Sequence, residues 1–178
     1  MARHDAEDAL ERPKFDKPTR VLLVVAPFYR DIADHLINGA QAAVVASGAD
    51  CDVIEVPGAL EIPPAIVLAA RSGHYDGFVG LGCVIRGETT HYDTVCNDSS
   101  RGLTLLGLQG YCIGNGILTV ENTAQALARA NPEEMNKGGG AADACLHLIA
   151  LARRFAPQPK SLPEGSIHLA GGQNGTFT

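Results

Sequence analysis

Residues 82–95 read GCVIRGETTHYDTV, an apolar strand-like run passing into a polar, helix-like one. Between the two lies Gly82-x-x-x-x-Gly87-Glu88-Thr89, the glycine spacing of a nucleotide-binding loop with a glutamate where the lysine belongs. A carboxylate there repels a triphosphate, which excludes nucleotide hydrolysis. The backbone argument survives the substitution. A glycine turn that opens a helix aims free N–H groups at an anion, and Thr89 and Thr90 add hydroxyl donors. A single phosphomonoester fits such a turn, although Gly87 could equally serve only to make the bend while Thr89 or Thr90 caps the helix. His91 follows directly. An imidazole beside a bound phosphate can accept and return protons near neutrality. A lone histidine is more often a surface or capping residue, so position has to decide.

The stretch VPGALEIPP holds Glu61 between Pro57-Gly58 and Pro63-Pro64. Glu61 suits a helix N-terminus, where the macrodipole favours a carboxylate, and equally suits accepting hydrogen bonds from a polyol. Phe28 is either core or a stacking platform for a flat ring. Arg129 and Lys137 flank ANPEEMN, and spacing alone leaves both as solvated charges. NKGGG reads as a glycine-rich loop ahead of a helix.

These residues need elements to hold them. Apolar runs predict strands over Arg20–Ala26, Cys51–Val56, Phe78–Ile85 and Ile113–Val120. Helical spacing falls between and after them, over Asp31–Ser47, Leu60–Arg71, Tyr92–Leu108, Thr123–Ala130 and Ala141–Phe155. Strands that are apolar along their whole length and alternate with helices imply a parallel sheet covered on both faces. The strand-to-helix turns then gather at the carboxyl ends of the strands, where such sheets bind ligands. Four turns converge there: APFYRD, VPGALEIPP, CVIRGETTHYD and ILTVENT. That placement favours a functional His91. Residues 1–19 read as a flexible polar arm and 156–178 as a flexible Pro/Gly/Ser-rich tail, leaving one domain over 20–155.

Composition removes other classes. The 178 residues carry a net charge of −6 and no basic stripe, which argues against nucleic acid. Five cysteines form no CxxC pair and six histidines no HxxH spacing, so neither a disulfide frame nor a metal is expected. The apolar runs are too short to span a bilayer, and the N-terminus has no signal-peptide core, so a soluble cytoplasmic protein is expected.

Taken together, VPGALEIP, GCVIRGETTHYDTVCNDSSRGL, GNGILTVENTAQALARA and NKGGGAA closely resemble 6,7-dimethyl-8-ribityllumazine synthase of riboflavin biosynthesis, in its alphaproteobacterial form. The resemblance runs from about Arg20 to Phe155. It implies a flavodoxin-like three-layer α/β/α sandwich on a four-stranded parallel sheet. It also implies a cofactor-free condensation of 5-amino-6-(D-ribitylamino)uracil with 3,4-dihydroxy-2-butanone 4-phosphate, with release of phosphate and water. Members form homopentamers with sites at subunit interfaces, and in some members twelve pentamers pack as a hollow capsid.

Carried over by motif, His91 matches the proton-transferring histidine and Phe28 the stacking aromatic. Ala59, Leu60 and Glu61, with Cys83, Val84 and Ile85, match pyrimidine and ribityl contacts. Glu88 and Thr89 match the phosphate turn and Arg129 the phosphate-binding arginine. Asn115 and Lys137 match residues that a neighbouring subunit contributes. The sequence departs at Leu60 and Asn115, where aromatics are common, and at Tyr29, where asparagine is common. RANPEEMNKG also lacks the GTKAG segment of several capsid formers, which favours an isolated pentamer. A competing reading is a low-activity paralogue that binds flavin or lumazine or builds a shell. The intact His91 and Arg129 weigh against it.

Overall fold

In the strand β1 (Arg20–Val25), every residue after Arg20 is buried, and successive side chains serve opposite faces. The computed structural model, which describes residues 10–157, shows what each face meets. Val21, Leu23 and Val25 share a core with α1 (Arg30–Ala46), α4 (Thr123–Ala130) and α5 (Lys137–Arg154). Leu22 and Val24 share another with α2 (Ile62–Ala70) and α3 (His91–Leu108). The remaining strands are β2 (Asp50–Glu55), β3 (Gly77–Ile85) and β4 (Ile113–Val120). All pairings are parallel and the order is β2-β1-β3-β4. The result is a flavodoxin-like three-layer α/β/α sandwich on a four-stranded parallel sheet. Among the described residues, no helix is long and apolar enough to cross a membrane.

The sequence expectation of uniformly apolar strands holds for β1 and β3 and fails at the rims. β2 pairs only with β1, and at this edge of the sheet Val53 and Ile54 stay exposed. The last helix also begins earlier than expected, at Lys137 instead of Ala141, so the three glycines of NKGGG are helical. Packing explains this. α5 crosses α1 so closely that a Cβ on Gly138 would stand 2.8 Å from the Leu36 carbonyl carbon, and Gly39 of α1 likewise faces the Asn136 side chain. Only glycine permits that approach. The helix starts from Asn136, which adopts a left-handed backbone (φ 44°) and accepts a hydrogen bond from the Gly139 amide at 3.1 Å. Asparagine tolerates this region better than most residues.

Residues 10–19 of the expected arm contain no helix or strand, yet they have partners. Arg12 forms an ion pair with Asp143 of α5 at 2.5 Å, and the Phe15 amide donates to the Ser47 carbonyl at 2.9 Å. Residues 1–9 and 158–178, the rest of the arm and nearly all of the tail, lie outside the described residues.

At the amino ends of the strands the sheet is tied by charge. Arg20 pairs with Asp52 at 2.9 Å, the Tyr75 hydroxyl donates to Asp52 at 2.9 Å, and Arg153 reaches Asp76 at 3.1 Å. The Arg20 guanidinium, and then Tyr75, hold the Asp52 carboxyl below its usual range. A depressed carboxylate contributes stability above its unfolded value of 3.8, and that contribution fades as pH falls through the lower native value. Arg20→Ala is therefore expected to lower the urea midpoint at about pH 7 and to differ less from wild type toward about pH 2. A gap of constant size across that range would show that the arginine acts otherwise.

Candidate active site

The carboxyl ends of the strands are arranged differently. Order β2-β1-β3-β4 means that the chain leaves β1 toward one side and β3 toward the other, opening a crevice between them. A cleft of about 460 Å³ occupies that position. Ala26, Phe28 and Tyr29 enter it from the end of β1, and Pro57 to Glu61 from the turn after β2. Cys83, Val84 and Ile85 of β3 form its floor. Gly87 and Thr89 of the following turn, with His91, Tyr92 and Val95 of α3, close the far wall.

The floor has a specific property. β3 is longer than β1: their register ends at Val25↔Leu81, with one further bond from the Ala26 amide to the Leu81 carbonyl at 2.9 Å. On its other side β3 stays paired with β4 through Ile85↔Val120. Residues 83–85 are thus held rigidly from one side while their β1-facing edge lies beyond the ladder, toward the cleft. Backbone amides and carbonyls so presented can read a flat heterocycle by main-chain hydrogen bonds. Burial pushes the Cys83 thiol up to about 11, so it is a neutral wall and not a nucleophile.

The walls follow from local sequence. A short 3-10 turn over Ala59–Glu61 runs straight into α2, whose first turn accommodates proline because the first amides of a helix have no intrahelical acceptor. The Glu61 amide donates to the Gly58 carbonyl at 3.1 Å, and its carboxylate folds over Gly58, where a Cβ would stand 3.0 Å from Oε2. Phe28 is 75% exposed and meets Tyr29 edge-on at 5.0 Å, leaving its ring available for stacking. At the N-terminus of α3, Thr90 occupies the cap position without a side-chain cap hydrogen bond, and Thr89 faces the cleft. The capping role open to Thr90 in the sequence is therefore not used, and the helix presents its first amides beside His91.

Nine sequence-selected residues are thus brought to one cleft: Phe28, Ala59, Leu60, Glu61, Cys83, Val84, Ile85, Thr89 and His91. Four are not among its lining. Glu88 is exposed on the phosphate-type turn. Asn115 sits on β4 opposite Gly80, its side-chain oxygen accepting from the Ile117 amide at 3.0 Å. Arg129 of α4 donates to the Gln125 carbonyl of its own helix at 3.0 Å. Lys137, the first residue of α5, is exposed. The fourth converging turn does not line the cleft, and its Glu121 contacts Arg86. Sequence reasoning passed over Tyr92 and Val95 as wall residues. Their spacing from His91, one and four positions along the same helix, was the available signal.

Comparison with known proteins agrees with this fold. The sequence model described as 6,7-dimethyl-8-ribityllumazine synthase matches residues 18–153. A protein of that name from Jannaschia sp. is 50% identical over 177 residues, covering 98% of this chain and 99% of its own. One from Zymomonas mobilis is 52% identical over 137 residues, covering 77% and 99%. One from Methylorubrum populi is 54% identical over 147 residues, covering 79% and 87%. With the match spanning the sheet, the cleft and the helices as far as Arg153, this chain belongs to the 6,7-dimethyl-8-ribityllumazine synthase family.

Proposed function

We propose that this chain condenses 5-amino-6-(D-ribitylamino)uracil with 3,4-dihydroxy-2-butanone 4-phosphate to give 6,7-dimethyl-8-ribityllumazine, phosphate and water. The observation that carries the reading is the juxtaposition, in one cleft, of an unpaired β3 edge, an exposed aromatic ring, a carboxylate and a histidine at an uncapped helix start. The pyrimidine stacks on Phe28 and is read by the backbone of residues 83–85 and of Ala59 and Leu60. Glu61 accepts from ribityl hydroxyls. The phosphate lies on the backbone of Gly87 to Thr89 and on the Thr89 hydroxyl, with Glu88 turned to solvent.

The chemistry is redox-neutral. The substrate amine adds to the ketone and water leaves, giving an imine. A proton beside it is removed to His91 as the carbon–phosphate ester oxygen bond breaks and phosphate departs. The enol so formed takes up a proton on carbon and becomes a new ketone, the second nitrogen attacks that carbonyl, and loss of a further water closes the ring. Each step moves a proton that a positioned imidazole can carry, and no electron carrier is required.

Phosphate departure needs a cation close by. Arg129 and Lys137 stand outside the single-chain cleft, as does Asn115. We assign all three to the site of a neighbouring subunit in a cytoplasmic homopentamer, the arrangement in which each interface joins two different patches. Residues 20–155 carry the chemistry in this reading. Steady-state turnover with both substrates tests it: saturable formation of the lumazine, dependent on both, is expected. Tight lumazine binding without turnover would favour the paralogue reading instead.

A further inference from the structure

The turn that follows β3 contains a cation that does not line the cleft. The Arg86 amide closes the β3–β4 ladder on the Val120 carbonyl at 2.9 Å. Its side chain reaches Glu121 at 3.0 Å and Asp93 at 3.5 Å, and its guanidinium lies 4.1 Å from the centre of the Tyr92 ring. Tyr92 and the adjacent His91 line the cleft, and Asp93 lies in the first turn of α3. One guanidinium therefore joins the end of β4 to the first turn of α3.

Two physical consequences follow. A cation over an aromatic face, further fixed by two carboxylates, restrains the ring and with it the helix start. Asp93 also stands next to the place proposed for a phosphate. An unneutralised carboxylate in that turn would oppose a second anion, and Arg86 offsets it. Glu121 has the same sign and the same partner. Because all three charged groups are about half exposed, solvent keeps the electrostatic effect moderate.

We propose that Arg86 is a positioning residue for phosphate recognition: it offsets part of the charge of Asp93 and Glu121 and restrains Tyr92, so that the turn at residues 87–90 accepts an anion. The proposal rests on the assigned phosphate position, so it is tested both with and without turnover. In kinetics, Arg86→Gln should raise KM for the butanone phosphate roughly threefold to tenfold while KM for the pyrimidine stays within about twofold. Arg86→Lys should recover part of the loss, and Arg86→Gln combined with Asp93→Asn should recover more, since the opposing charge is gone.

Binding of inorganic phosphate, measured by calorimetry, should weaken by a similar factor in Arg86→Gln and recover in the double variant. This arm needs no activity, so an inactive wild type would defeat the enzyme reading and still leave Arg86 testable. A merely structural role would lower the thermal midpoint or raise both KM values together, without rescue by Asp93→Asn. That pattern, equal phosphate affinity in wild type and variant, or no phosphate binding by wild type, overturns the proposal.

Discussion

Replacing His91 by alanine is expected to lower the turnover number by roughly 10²–10⁴, the usual worth of a positioned general acid–base. His91 is the imidazole at the cleft, standing at the first position of α3 beside Thr89 and Tyr92. Its removal leaves the stacking ring, the β3 edge and Glu61 untouched, so affinity for the pyrimidine should stay nearly intact. A small residual rate is expected, because binding both substrates in one cleft already favours their condensation. The decisive comparison is single-turnover rate against substrate affinity in the same variant. Turnover within a factor of two of wild type would remove His91 from the mechanism.

A comparably large effect is expected when defective chains are mixed. His91 lies in the cleft of its own chain, whereas Arg129 lies on the opposite face of the sheet. If every site takes one residue from each of two neighbours, pentamers of His91→Ala and pentamers of Arg129→Ala are each nearly inactive. Unfolded together and refolded as a random equal mixture, about a quarter of interfaces carry both wild-type residues. Activity should rise to about that fraction of wild type. A site contained within one chain predicts no recovery, since every chain remains defective. Mixed pentamers confirmed by mass, with activity still at the level of the separate variants, would show the site is not shared.

What the sequence made legible depended on how local each cause was. β1 and β3 are buried on both faces, so their apolar runs are unbroken and their positions follow from composition alone. The bounds of β4 follow from Ile113–Val120, a run of mostly apolar and small residues between clear breaks. The half-exposed β2 follows from strand order, a property of the whole sheet that no window of residues reports. NKGGG misled for a similar reason. Glycine disfavours a helix on its own, and only the crossing with α1 makes it necessary there.

The candidate site divides along the same line. Phe28, Glu61, Thr89 and His91 each follow a strand directly, so the rule for parallel sheets gathers them. Arg129 and Lys137 sit on α4 and α5 outside the cleft, and in the proposed reading their relation to a ligand depends on a second chain. The role proposed for Arg86 is not legible in sequence because it rests on three partners separated from it by up to 35 residues.

The crossing of α1 and α5 bears on association as well as on folding. Asn136 is locked by its left-handed backbone, by its bond to the Gly139 amide and by the space that Gly39 leaves for it. Lys137 is the next residue, exposed to solvent but standing on backbone that the core has already immobilised. A partner surface meeting this corner need not order a loop. Only the rotamers of one long side chain remain to be fixed, at an entropic cost of roughly 1.5–2 kcal/mol. A flexible four-residue approach to the same lysine would add about 1–2 kcal/mol per residue. The glycines that let two helices touch would thus also lower the entropy lost in the proposed contact between two chains.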